Sequence, residues 1–165
     1  MSIRTVFGSL NKFEKGGIHI IRDNPRNYAF SNVFEVASRS RPWEKVAVGR
    51  NMEYVLEAVR AEGTSPWYAA AHDEFALVMD GTVEVRLRKL DAAARVPDGT
   101  RGTTQLAGEA PGKKMGTIRA RRGHQALLPV GAAYQFHAPE PGVLIIQTIL
   151  GPLTVERWAD ICISQ

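Results

Sequence analysis

From about residue 46 onward the chain is written as short apolar runs between turn signals, and this rhythm constrains its fold more than any other feature. KVAV (45–48) stops at GRN, EYVLEAV (53–59) stops at EGTSP, and FALVM (75–79) stops at Asp80-Gly81. The next run, TVEVRLRKL (82–90), alternates, with Val83, Val85 and Leu87 on one face and Glu84, Arg86 and Arg88 on the other. A period of two marks a strand with one buried face, and Asp-Gly between two such runs is a hairpin turn. QALLP, AAYQFHA and GVLIIQTIL (142–150) follow, the last so continuously apolar that both of its faces are expected to be covered. Many short strands in 165 residues predict a barrel or sandwich built around one core.

The remainder of the chain is less regular. Residues 91–114, DAAARVPDGTRGTTQLAGEAPGKK, are rich in Gly, Pro and Ala without periodicity, and read as an insertion that is mobile or laid on the surface. GGIHII (16–21) has strand character, and DNPRNYAFSN (23–32) reads as a turn region. Near the end, Val155, Trp158, Ala159 and Cys162 recur at helical spacing and predict one apolar helical face. The expected plan is a single domain over 1–165. It has an N-terminal arm (1–45), a barrel (46–150) carrying the 91–114 insertion, and a short C-terminal helix (152–163).

Several function classes are disfavoured. No apolar run approaches the roughly 18 residues a membrane span needs, and no signal-peptide pattern opens the chain, so a cytoplasmic protein with no membrane partner is expected. One cysteine, Cys162, rules out an internal disulfide and any CxxC zinc pair. The net charge of +4 gathers at Arg39, Arg41 and Lys45 and at Arg119, Arg121 and Arg122, without the interleaved aromatics of a nucleic-acid surface. No nucleic-acid partner is expected.

Two stretches are more specific. Gly63, Glu74 and Gly81, with six residues between the last two, and Gly123-HQALL-Pro129-Val-Gly131 resemble the two signature motifs of the cupin family. The resemblance implies an all-β fold, a single jelly-roll barrel with an N-terminal extension and a short C-terminal helix. It also implies where metal ligands belong. Counting back from Glu74, the H-x-H pair of the first motif falls on Trp67 and Ala69 or on Tyr68 and Ala70; the histidine of the second falls on Tyr134. None of these is a histidine, and a lone carboxylate does not hold Fe(II). A rescued site would draw on His72, Glu74 and His137, with His72 sharing the strand face of Glu74 and His137 pointing away from that of Tyr134. Otherwise Glu74, if buried, needs an Arg, Tyr or backbone donor, with Tyr134, Tyr68 or an arginine as the candidates. Trp67, Tyr68, Tyr134 and Phe136 are then expected to narrow the barrel mouth, as its pocket residues alongside His72 and Glu74.

Over nearly all of its length the chain is also similar to the small subunit of two-component hydroquinone 1,2-dioxygenases. GSLNKFEKG, NPRNYAFSNVFEVASRSRPWEKVAVG, EAVRAEGTSPWYAAAHDEFALVMDG, KKMG, ARRGHQALLP and LTVERWADIC carry this likeness. It implies a cupin without catalytic residues, metal or cofactor of its own. The partner it implies is a larger cupin subunit, in a hetero-oligomer (a heterotetramer), that carries Fe(II) and cleaves hydroquinone to 4-hydroxymuconic semialdehyde in aromatic (4-nitrophenol-type) degradation. Two alternatives stand beside it: a stand-alone metal cupin using His72, Glu74 and His137, and a non-enzymatic cupin binding a small molecule against Trp67 and Tyr134. The subunit reading asks for exposed apolar surface, for which Phe7, Phe13, Tyr28, Phe30 and Phe34 of the arm and the Pro66-Trp67-Tyr68 corner are candidates.

Overall fold

The computed structural model describes residues 8–13, 22 and 32–158. GGIHII, most of the 23–32 turn region, Phe7, Tyr28, Phe30, Ala159 and Cys162 lie outside the described residues. Helix α1 (Val33–Arg39) precedes nine strands: β1 (Lys45–Asn51), β2 (Tyr54–Ala70), β3 (Glu74–Asp80), β4 (Thr82–Lys89), β5 (Thr103–Gln105), β6 (Lys113–Arg121), β7 (Gln125–Leu128), β8 (Ala132–Ile149) and β9 (Thr154–Val155). Among the described residues no helix is long and apolar enough to cross a membrane.

Two long strands organise the barrel. β2 and β8 pair antiparallel from Tyr54 opposite Ile149 to Ala69 opposite Ala133, with register shifts near Gly63 and between Thr64 and Trp67. The first half of β8 pairs with β4 and its second half with β3, so one strand serves both walls. β1 extends one wall beyond β2, β6 extends the other beyond β4, and β7 pairs with β3. Inside, Val59, Val78, Val85, Leu128, Phe136 and Leu144 interlock from both walls into one apolar core. The alternation read in 82–90 is observed: Val83, Val85 and Leu87 are buried, and their polar neighbours face outward. At Asp80-Gly81, Gly81 adopts φ +81°, and a β-carbon there would lie 3.2 Å from the Cα of Gly142, so the hairpin packs backbone against backbone.

The EGTSP signal expected to end a strand lies inside one. Pro66 supplies no N–H to the ladder, and the chain bulges there. The Ser65 hydroxyl takes over by accepting the Phe136 N–H at 2.9 Å, so β2 continues through the irregularity. In 142–150 both faces are covered as far as Ile146. Leu144 and Ile146 point inward, Val143 packs outside against Leu10 and Ala37, and Ile145 packs against Val36, Val46 and Ala58. At Gln147 that outer cover ends.

Helix α1, which follows the 23–32 turn region, supplies much of this cover. Asn32 caps it by accepting the N–H groups of Phe34 and Glu35 at 3.1 and 3.4 Å. Seven residues are too few to display an apolar period, which is why the helix is not legible in the sequence. The 91–114 segment is laid on the barrel: its Ala110 and Leu106 pack on Trp67, and the Leu106 N–H donates to the Trp67 carbonyl at 2.8 Å. Its end, Lys113 and Lys114, already belongs to β6. The expected C-terminal helix over 152–163 does not begin where its apolar spacing suggests. Val155 is a strand residue of β9, pairing in parallel with Val46 of β1 and packing beside Val36, because ladder and core contacts outweigh a four-residue helical pattern.

Candidate functional site

Glu74 opens β3 and points into the barrel, fully buried. A buried carboxylate without donors is costly, and three hydroxyls answer it. Thr103 and Thr148 donate to Oε1 at 2.5 and 2.6 Å, and Tyr134 donates to Oε2 at 2.6 Å. Two strands supply them: β5 brings Thr103 by pairing beside Ala70, and β8 brings both Tyr134 and Thr148. Burial and the adjacent Glu74 carboxylate hold the Tyr134 phenol well above its usual pKa, so it remains a neutral donor.

His72 borders this cluster. Its Nε2 lies 3.0 Å from the Thr148 hydroxyl and 3.3 Å from the Ile149 N–H. The Ile149 N–H donates to this nitrogen, and the Thr148 hydroxyl beside it gives its own proton to Glu74. His137 stands elsewhere, on the outer side of β8, with Nδ1 2.8 Å from the Thr64 hydroxyl. The trio His72, Glu74 and His137 is therefore not brought together, because side chains three residues past Tyr134 leave on the opposite face.

A second buried pair lies deeper. Lys45 of β1 and Glu57 of β2 both face inward, with Nζ and Oε2 3.9 Å apart, and Nζ sits 4.7 Å above the Tyr68 ring. Thr154 of β9 donates to the other Glu57 oxygen at 2.7 Å. Burial pushes the Glu57 carboxyl up; Lys45 and the Thr154 hydrogen bond oppose the shift, and Glu74 adds to it. Tyr68 is pushed up to about 12, by burial first and by the charge of Glu57 second.

The pocket residues expected at the barrel mouth divide between two clusters. Tyr68, Tyr134 and Phe136 lie inside; the ring centroids of Tyr134 are 5.8 Å from Tyr68 and 5.3 Å from Phe136. Trp67 does not narrow the mouth. One residue earlier on the same strand, it faces outward beneath the 91–114 segment, with the Arg88 guanidinium 5.4 Å from its ring. The same alternation decides between the two possible ligand pairs of the first motif: Tyr68 points inward and Ala70 shares its face, whereas Trp67 and Ala69 point out. Of the apolar surface candidates, Trp67 and Tyr68 are buried in the chain's own clusters, and Phe34 packs on Leu10 and Val143. Sequence reasoning left Tyr134, Tyr68 and an arginine open as partners of Glu74, of which Tyr134 is the one in place, and it missed Thr103, Thr148, Lys45 and Glu57. The inward alternation of Lys45 with Ala47 and of Glu57 with Val59 was the available signal.

This donor set does not fit a ferrous ion. Both oxygens of Glu74 are engaged by hydroxyls, and among the described residues no three His, Cys, Asp or Glu side chains gather to hold a metal. What the arrangement does chemically is hold buried charge: three hydroxyls donate to Glu74, and Glu57 has the Thr154 hydroxyl and, 3.9 Å away, the Lys45 ammonium.

No protein-family model matches the chain, and no curated protein matches it. Among solved structures, the hydroquinone 1,2-dioxygenase PnpCD in complex with Cd2+ and 4-hydroxybenzonitrile contains a chain 55% identical to this one. The match covers 99% of this chain and 98% of that one, with a TM-score of 0.92. The hydroquinone 1,2-dioxygenase from Sphingomonas sp. TTNP3 with 4-hydroxybenzoate bound is 52% identical, with 99% of both chains covered and a TM-score of 0.94. The chain belongs to the hydroquinone 1,2-dioxygenase family. A cupin-2 domain protein from Shewanella frigidimarina, at 18% identity and TM-score 0.51 over 70% of this chain and 89% of that one, shares the cupin fold. PnpCD matches a second time, in its complex with Fe3+, through a much longer chain. There the identity is 13% and the TM-score 0.63, over 84% of this chain but only 38% of that one. PnpCD thus contains both a short chain like this one and a longer chain, part of which has the same fold.

Proposed function

We propose that this chain is the metal-free small subunit of a heteromeric, Fe(II)-dependent hydroquinone 1,2-dioxygenase, acting in the cytoplasm in the degradation of 4-nitrophenol-type aromatics. A larger cupin subunit carries the iron and opens hydroquinone to 4-hydroxymuconic semialdehyde; this chain supports it without contributing a metal ligand. The observation that carries the reading is the saturated carboxylate. Where a metal cupin presents histidines and a free glutamate, this barrel sets Tyr68, Ala70 and Tyr134, and three hydroxyls close around Glu74. The near-complete match to the short chain of two dioxygenases, beside a distant match to a longer one, supports the division of labour.

The test is to purify this chain, the longer chain and the two co-expressed, and to measure bound iron and hydroquinone cleavage for each. Cleavage is expected from the pair, with iron accompanying the longer chain. Stoichiometric iron and ring cleavage from this chain alone, both abolished in Glu74→Ala, would refute the proposal.

A further inference from the structure

The two outer faces of the barrel differ in chemistry. On the β4–β6 face Glu84 pairs with Arg119 at 2.8 Å and Arg86 at 3.8 Å, and Arg88 reaches Glu109 at 3.6 Å. That is a solvated charge ladder. On the opposite face one register row crosses four strands: Leu56 of β2 lies beside Gln147 of β8, Gln147 beside Phe75 of β3, and Phe75 beside Leu127 of β7. No member of this row is charged. Leu56, Phe75 and Leu127 are 44%, 38% and 45% exposed, and beside them Tyr54 is 53% and Met52 86% exposed.

The neighbouring row of the same face is covered by the chain itself, since α1 and β1 place Val36 and Val46 against Ala58 and Ile145. Cover stops one row later, at Leu56 and Gln147. Apolar patches of this kind mark binding surfaces, and the cores of protein interfaces are poor in charge and rich in aromatic residues and Met.

We propose that the longer dioxygenase chain docks on this face, covering Tyr54, Leu56, Phe75 and Leu127. The inference rests on the subunit reading above and adds where the two chains meet. Two observations select this occupant: the family's complexes contain a longer chain that repeats the barrel, and the uncharged row suits a partner surface equally poor in charge. A charged partner surface would bury its ions there without counter-ions.

The experiment co-expresses the longer chain with wild type, with Leu56→Lys/Phe75→Lys, and with the control Lys114→Glu on β6. Complex formation is measured by size-exclusion chromatography with light scattering and by titration, and the thermal unfolding of each short chain alone is recorded. Association weaker by about tenfold or more is expected for the double variant, with unchanged unfolding and an unaffected control. If the double variant misfolds, Leu56→Gln/Phe75→Ser replaces it, with a smaller loss of affinity expected. Wild-type affinity in a folded variant overturns the docking face and leaves the subunit reading standing. A wild-type chain that never associates overturns both. A homodimer of this chain that dissociates in the variant, while binding to the longer chain persists, assigns the face to a second copy and overturns the proposal.

Discussion

Tyr134→Phe tests the central claim about the barrel interior. The substitution keeps the ring that packs between Tyr68 and Phe136, so it opens no cavity, and it removes one hydroxyl. That hydroxyl is the donor to Oε2 of Glu74, while Oε1 keeps Thr103 and Thr148. Glu74 is fully buried, so water does not substitute for the lost donor without local opening. Hydrogen bonds to charged groups contribute about 1.5–3 kcal/mol, and a buried acceptor left without a donor retains its desolvation cost. The expected loss of stability is therefore about 1.5–3 kcal/mol, which for a domain of this size lowers Tm by roughly 3–12 °C. Urea unfolding at pH 7 measures the first and calorimetry the second. A double-mutant cycle with Glu74→Gln isolates the pair and should return a coupling of at least about 1 kcal/mol. A Tyr134→Phe protein within about 0.5 kcal/mol of wild type, or a coupling near zero, shows that Glu74 does not depend on this phenol, and the picture of a hydroxyl-sealed carboxylate falls.

The remaining predictions concern charge, anchoring and metal. Because folding raises the Glu57 pKa, its contribution is fully present below the ordinary carboxyl value of 4.5 and is lost as pH rises through the folded value. The stability difference between wild type and Glu57→Gln should therefore shrink, or turn against wild type, from pH 4.5 toward 7, as followed by urea unfolding; a pH-independent difference refutes the assignment. Trp67→Ala removes the buried anchor beneath the 91–114 segment and should cost about 3–5 kcal/mol, with faster amide exchange through 103–110; unchanged exchange there would show that the segment holds itself. Restoring histidines at the inward positions, as Tyr68→His/Ala70→His/Tyr134→His with Glu74 kept, should create binding of Co(II) or Fe(II) in calorimetric titration, whereas Trp67→His/Ala69→His should not.

How much of this was legible depends on whether the information was local. The strands of 82–90 and 142–149 announce themselves, since alternation and continuous apolarity state how many faces are buried. Spacing of glycines and a proline pointed to the barrel, and the non-histidine residues at the ligand positions pointed away from a metal. Glu74 as a carboxylate in need of a donor, with Tyr134 as one of them, was likewise readable. Thr103 was not, because it lies in a segment without periodicity and reaches Glu74 only through the pairing of β5 with Ala70. Lys45 and Glu57 alternate with inward apolar residues, but that they face each other emerges only when the two strands are paired. Val155 shows the reverse failure: a helical spacing over a few residues yields to a partner strand that only the fold supplies.

The sequence by itself thus determined several of the barrel strands, the cupin spacing and the non-histidine residues at the ligand positions, all properties of neighbours along the chain. Only the tertiary structure decided which residues those strands bring face to face. It placed Tyr68 rather than Trp67 inside, closed three hydroxyls around Glu74, and left Leu56, Phe75 and Leu127 uncovered in one row. Burial, donor satisfaction and surface chemistry are set by pairing between distant segments, and local spacing along a chain does not encode register across a sheet.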